Sequence, residues 1–426
     1  MLQVTIAILL TLEPTRFVAP DLPQFRRRFA QFFVLGMLWI NLLFFLDLRE
    51  GIRRGYPDFT IFYTAGTMLR QGSGHQLYDR KSQYQVQESF TGHIPFRLGP
   101  LPYNHPPFEA VIFVPLSLLS YQRAFATWDL INIGFLFAIT AVLRKSVPLL
   151  RSVPAWKFVI CTLAFFPVFA CLLEGQDSIL MLLFCALAFS ALKSKSELTG
   201  GSCLALAALK FQFILPIVLL LILWKRPRVA VGFAATAIVL GLVSILLVGS
   251  AQVLHYPEFV LQIANRQSLS GLSPQYLPNL HGLAMGWRAP LAGVFGAVLA
   301  ILVSIVVFLF AAWTGRNAAG LENFELQFSL AILVSVLIAW QTNSHDLSLL
   351  LLPLVLIADY SFSAMPQRSR HNFVLLLPAV PLLISPLWLI LWLVNAKVNL
   401  IAIPLLWWTI RLGNYLAAQR KESVSQ

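Results

Sequence analysis

The chain has 426 residues, of which 58% are hydrophobic and only 12% charged, and its mean hydropathy is +0.75. Such a composition excludes a soluble globular core and a disordered chain, and it assigns an integral membrane protein. The net charge of +13 does not mark a nucleic-acid binder, because the basic residues lie in short clusters between apolar runs, which is the pattern of membrane topology.

Residues 1–28 read as a cytoplasmic or interfacial segment. Met1–Leu12 has no positive charge ahead of its apolar run, and no small-residue cleavage site follows before Arg16, so a removed leader is not expected. An apolar helix is predicted over Phe29–Leu46, opened by Arg26, Arg27 and Arg28. Further apolar segments fall at Tyr121–Val142, Phe158–Leu173, Ile179–Leu192, Gly200–Leu209, Phe213–Trp224 and Val229–Val248. They continue at Pro290–Trp313, Phe328–Trp340, Leu347–Ala358, Phe373–Val394 and Val398–Ile410. This makes about twelve predicted spans in one domain over 29–412, several shorter than the ~20 residues a crossing needs. Gly200–Trp224 is also compatible with one bent hairpin, and Phe108–Leu119 reads as a helix lying along or dipping into the outer leaflet. The tail, 413–426, is polar. The four cysteines, Cys161, Cys171, Cys185 and Cys203, sit in or beside apolar segments and suggest neither a disulfide framework nor a metal site.

With the N-terminus inside, most of the 31 Lys and Arg residues fall in inner loops, so both termini are expected in the cytoplasm. The long loop Arg49–His105 and a second one, Gly249–Arg288, are then outside. Polar residues that interrupt the chain collect on that outer side: Asp58, Tyr63, Tyr78, Asp79 and His105, then Glu174–Asp177 with Gln176. They continue with Lys210 and Gln212, with Arg266, Gln267, Asn279 and His281, and with Gln341–Asp346 including His345. Acids, amides, histidines and cations gathered at one membrane edge suit a polar, lipid-linked substrate. Each has a plainer reading: Asp58 as an interfacial acid, His105 as a loop end, Lys210 as a snorkelling cation, Gln176 as a helix cap. Asp346 precedes an apolar run and is placed to cap it, which leaves His345 as the better functional candidate of that pair.

Several of these residues belong to longer blocks. They are Asp58-Phe59 with Phe62-Tyr63-Thr64-Ala65-Gly66, Leu77-Tyr78-Asp79, His105-Pro106-Pro107-Phe108-Glu109-Ala110 with Pro115-Leu116, and Trp128 to Asn132. Gly175-Gln176, Leu209-Lys210-Phe211-Gln212, Pro278-Asn279 with Gly282-Leu283, and His345-Asp346-Leu347 complete the set. From Tyr56 to about Pro353 the chain resembles glycosyltransferase family 87, membrane enzymes of the GT-C type that use polyprenyl-phosphate sugars. Characterised members of that family are mannosyltransferases that make phosphatidylinositol mannosides. One departure is visible: Phe211 stands where relatives often carry Pro between the Lys and the Gln.

The resemblance implies an all-α polytopic GT-C fold with juxtamembrane helices in the first outer loop. It implies inverting transfer of a sugar from a polyprenyl-phosphate donor to a lipid or glycan acceptor, at the outer face of the plasma (inner) membrane. Asp58 falls on the position of the family base. Tyr63, Tyr78, Asp79, His105, Gln176, Lys210, Gln212, Arg266, Asn279 and His345 are the expected substrate-binding residues. The chemistry asks for a base at the acceptor hydroxyl and for cations or donors at the departing phosphate, and Lys210, Arg266 and His345 are candidates for the second task. No cofactor is required and a divalent metal is optional. A transporter or lipid-sugar flippase is the alternative, but it would carry an inverted repeat and midplane polar groups, and neither is apparent. A structural or assembly subunit would leave the outer polar cluster unexplained.

Overall fold

The computed structural model describes residues 22–91, 101–265, 276–286, 292–317, 324–363, 374–384 and 399–424. Among the described residues every regular element is helical. Four helices are long and apolar enough to cross a membrane, and up to six spans result if two bent pairs each count as one. The chain is therefore a membrane protein. The remaining expected segments are shorter helices, lie in the long but less apolar helix Ala402–Val424, or fall outside the described residues.

Helix α1, Leu22–Arg53, contains the predicted Phe29–Leu46 and runs beyond both its ends. At 1.5 Å per residue its 32 residues reach about 48 Å, more than the hydrocarbon core. The Gly55-Tyr56-Pro57 turn ends it and starts α2, Phe59–Arg70, whose first ten residues are buried. Helix α3, Arg80–Thr91, is polar but docked: buried Gln83 and Gln87 use their amides on the backbone of Leu77, Leu101 and Tyr103. The expected helix over Phe108–Leu119 is instead three short turns, Pro107–Glu109, Ala110–Phe113 and Leu116–Leu118. Pro115 explains the break, because it lacks an N–H and its ring crowds the preceding turn.

Helix α4, Tyr121–Ser146, is a candidate span. Helices α5, Ala155–Ala164, and α6, Phe166–Glu174, form a pair bent by 81°, with Pro167 opening the second half. Helix α7, Ser178–Lys193, follows. Helix α8, Glu197–Leu206, is bent by 55° at Ala207 from the following arm, in which the short turn Ala208–Lys210 leads into α9, Phe211–Leu223. Two bent helix pairs thus flank the unbroken α7, and the turn after the second bend carries Lys210. Irregular backbone at membrane depth is tolerated where it is enclosed by protein or lines a cavity, and both breaks lead to the site described below.

Helices α10, Arg228–Val248, and α13, Ala292–Asn317, contain the other two spans beside α1 and α4. They carry strongly exposed apolar side chains, such as Leu246 and Val294; in a bilayer that surface meets lipid. Between them run α11, Ser250–Asn265, and the short α12, Leu280–Met285. Helix α10 crosses α8 so closely that a Cβ on Gly232 would overlap the Leu198 carbonyl, the small-residue contact typical of helix pairs in membranes. Helix α14, Phe324–Ile338, is buried on every side and packs against α9, α15 (Leu351–Ser363) and α16 (Ala402–Val424). A helix apolar all round belongs in the middle of a protein, and α14 is the centre of this one. At its start Lys193 pairs with Glu325 at 2.5 Å and Arg226 lies over the Phe324 ring at 4.3 Å. Its other end runs into Trp340 and the site.

Candidate active site

A cleft of about 800 Å³, counted with its open mouth, is lined by Asp58, His105, Gln176, Lys210, Gln212, Tyr256, His345 and Asp346 among others. Helix starts build its wall. Asp58 is the N-cap of α2, Asp177 that of α7, and Phe211 and Gln212 open α9. Helix N-termini present unpaired N–H groups and a partial positive charge. Aspartates at such positions ordinarily cap the helix, yet neither Asp58 nor Asp177 makes a side-chain capping bond. Their carboxylates are directed elsewhere.

Asp58 Oδ2 accepts from Gln176 Nε2 at 2.8 Å. Gln176 Oε1 in turn accepts from Lys210 Nζ at 3.0 Å. Because an ammonium only donates, this contact fixes which end of the amide faces Asp58. Gln176 is held firmly. Its carbonyl accepts from Trp128, Asn132 and Cys171, and it follows Gly175, whose φ of +60° makes the turn out of α6. A side chain at Gly175 would be strained by that φ and would bring its Cβ to 2.6 Å from the Cβ of Phe59, next to Asp58.

Lys210 is 6% exposed and uses all three of its N–H donors internally, on Gln176, on Ser178 Oγ at 2.9 Å and on Asp346 Oδ1 at 2.6 Å. Asp177 Oδ1 lies a further 3.0 Å from the ammonium, an ion pair without hydrogen-bond alignment. Asp346 also accepts from Ser178 Oγ and, through Oδ2, from the Asn343 N–H. It does not cap the run that follows it; His345 holds the capping position and makes no capping bond either. Burial alone would raise the Asp346 carboxyl, but Lys210 and then His345 beside it bring it down to about 2. Burial holds the His345 imidazole below its ordinary value, against the pull of Asp346 at 3.5 Å.

Behind the Lys210 cluster lies a second group of charges. His105 Nδ1 is 2.9 Å from Glu109 Oε2 and 3.6 Å from Asp177 Oδ2. Its ring packs on Phe62 and Tyr103, and its carbonyl accepts from Tyr78. Burial pushes Glu109 up to about 8, His105 opposing and Asp177 adding to it. Burial would lower His105, but Glu109 and Asp177 hold it above its usual value. His105, Glu109 and Asp177 are also the described residues whose ligand atoms converge closely enough to hold a metal ion.

Of the residues expected at a site, Asp58, His105, Gln176, Lys210, Gln212 and His345 come together around the cleft. Four others do not line it. Tyr63 donates to the Leu119 carbonyl within an aromatic cluster. Tyr78 stands behind His105. Asp79 accepts from the Ser82 N–H and hydroxyl in the first turn of α3. Asn279 caps α12 through Gly282 and bonds Ala339 and Thr342, which occupies its amide fully. Arg266 lies outside the described residues. Glu109, Asp177 and Ser178 are members of the cluster that were not singled out as site residues. The His105–Glu109 spacing of four is a usable signal, concealed by Pro106 and Pro107 between them.

Residues 103–339, more than half of the chain, match the family model of glycosyltransferase family 87. The matched stretch contains His105, Glu109, Gln176, Asp177 and Lys210; Asp58 precedes it, and His345 and Asp346 follow it. No curated protein and no solved structure matches the chain.

Proposed function

We propose, for a chain that belongs to glycosyltransferase family 87, that this membrane glycosyltransferase moves a hexose, with mannose first in line, from a polyprenyl phosphate to a lipid or glycan acceptor. The architecture is that of a GT-C enzyme of about twelve crossings, set in the plasma (inner) membrane with the cleft toward the periplasm or cell exterior. The observation that carries the reading is the run of contacts Asp58–Gln176–Lys210–Asp346 across the cleft.

In this reading Asp58 is the general base. Gln176 occupies one carboxylate oxygen and leaves the other to take the proton of the acceptor hydroxyl as it attacks the anomeric carbon. Inversion in a single displacement needs one base and no covalent intermediate on the protein. The leaving group is a phosphate monoester on a lipid, and the helix starts of α2, α7 and α9 offer N–H groups to its charge. His345, which lines the cleft, is the candidate donor to the phosphate or donor head group. Lys210 acts by holding Gln176, Asp177 and Asp346 in place, because its own donors are committed.

Purified protein incubated with radiolabelled polyprenyl-phosphate hexose and membrane lipids tests the reading. Label appearing in an acceptor lipid or glycan supports it. Label that crosses vesicle membranes on its lipid without transfer would favour the flippase alternative.

A further inference from the structure

His105, Glu109 and Asp177 take no part in the transfer as described, yet they are arranged as ligands. Their three ligand atoms all lie within 4.8 Å of one another, with the imidazole Nδ1 2.9 Å from Glu109 Oε2 and 3.6 Å from Asp177 Oδ2. Atoms bound about 2.1 Å from one ion stand roughly 3 to 4 Å apart, so the triangle has the dimensions of one face of a coordination shell.

Two further observations point to an ion. Glu109 and Asp177 are 0% exposed, yet Glu109 Oε1 and both carboxylate oxygens of Asp177 accept no hydrogen bond. Buried carboxylate oxygens are rarely left that way. Asp177 Oδ1 is at least paired with Lys210, while Oδ2 is turned toward His105, with the Glu109 carboxyl beside them. The charges around the cleft are also unbalanced. Among the described residues the carboxylates of Asp58, Asp177 and Asp346 face one ammonium, Lys210, together with the imidazoles of His105 and His345. A site that receives a phosphate is short of positive charge by that count.

We propose that His105, Glu109 and Asp177 bind one divalent transition ion, of the Mn2+ or Zn2+ class, through Nδ1, Oε2 and Oδ2. One imidazole with two carboxylates suits these ions better than the all-oxygen shells of Mg2+ or Ca2+. The imidazole is positioned for this before any ion arrives, fixed by the Tyr78 bond to its carbonyl and by the Phe62 and Tyr103 rings. Lys210 stays on the far oxygen of Asp177, so the ion does not displace it. His105 lines the cleft, which gives the ion its route in. The ion's charge, next to Lys210, offsets the buried carboxylates and makes the cleft hospitable to an anionic head group. That last role rests on the transferase reading, whereas the binding itself does not.

The test uses the full chain in detergent, stripped with a chelator and dialysed. Mn2+ binding is read from the loss of the free-ion electron paramagnetic resonance signal, and Zn2+ binding by elemental analysis of the re-loaded protein. One equivalent of either ion should bind, should raise the thermal midpoint, and should be held at least about tenfold more weakly by Glu109→Gln or Asp177→Asn. His105→Asn gives the same reading where a carboxylate variant fails to fold. An unvaried chain that binds neither ion, or a Glu109→Gln variant that binds as the unvaried chain does, overturns the proposal. No sugar donor is present, so failure of the transferase assay and failure of this one are separate outcomes.

Discussion

Gln176 and Asp58 are 118 residues apart in the chain and meet at 2.8 Å, with the amide of Gln176 donating to Asp58 Oδ2. The other end of the same amide takes a hydrogen bond from Lys210, so one side chain couples the candidate base to the buried cation. Substituting Gln176→Leu removes both bonds and frees Asp58 to turn. We expect kcat to fall about tenfold or more, as the loss of ~1.4 kcal/mol of transition-state positioning would, with KM for the donor changed less. Initial rates over a range of donor concentrations separate the two, and an unchanged kcat would remove Gln176 from the account.

Lys210 and His345 should fail in different ways. Lys210→Met leaves Asp177 and Asp346 buried without their cation, a loss of roughly 3 kcal/mol or more. The variant should accumulate poorly or unfold well below the unvaried protein. His345→Ala breaks no buried pair of that kind and should fold, with turnover lower by about tenfold. Thermal unfolding in detergent beside the transfer assay tells them apart. A stable, inactive Lys210→Met would return Lys210 to a direct role in chemistry.

Much of this site can be read from the sequence, because polar residues stand out where they interrupt apolar runs: Asp58, Gln176, Lys210 and His345 are conspicuous for that reason. Which of them converge cannot be read, since convergence depends on the 81° and 55° bends of the α5–α6 and α8–α9 pairs. The same bends make a count of apolar segments a poor count of crossings. Asn279 stands out equally, yet it serves the start of α12, because capping and substrate binding draw on the same residue types. Glu109 and Asp177 appear in the sequence blocks but are not singled out as site residues, because two prolines separate one from His105 and the other stands where an ordinary helix cap would.

Gly175→Ala tests the turn that delivers Gln176. The φ of +60° costs a residue with a Cβ about 1 kcal/mol or more, and the overlap with Phe59 adds to that. Stability should drop, and activity should drop further than stability alone explains, because both Gln176 and Asp58 adjoin the displaced atoms. A variant that matches the unvaried protein in both measurements would show that the turn tolerates movement.

Asp346 gives the fold an acid-sensitive contribution. Its carboxyl titrates near 3.8 when unperturbed and at about 2 when folded. A depressed folded value means the stabilisation is complete above about pH 4 and is lost as the pH falls from there through about 2. It is worth roughly 2 kcal/mol. Chemical unfolding of the unvaried protein and of Asp346→Asn should show a stability gap that narrows between pH 5 and pH 2.5. A gap independent of pH would mean that Lys210 does not hold the Asp346 carboxylate ionised.

The central claim is that Asp58 takes the proton from the acceptor. Asp58→Asn keeps the size of the side chain and removes its basicity, so the variant should accumulate normally and bind the polyprenyl-phosphate donor normally. Sugar transfer by the purified variant is the direct measurement, and the account predicts a rate lower by about a hundredfold or more, the usual worth of a general base. Transfer at the rate of the unvaried enzyme would place the base elsewhere and contradict the account.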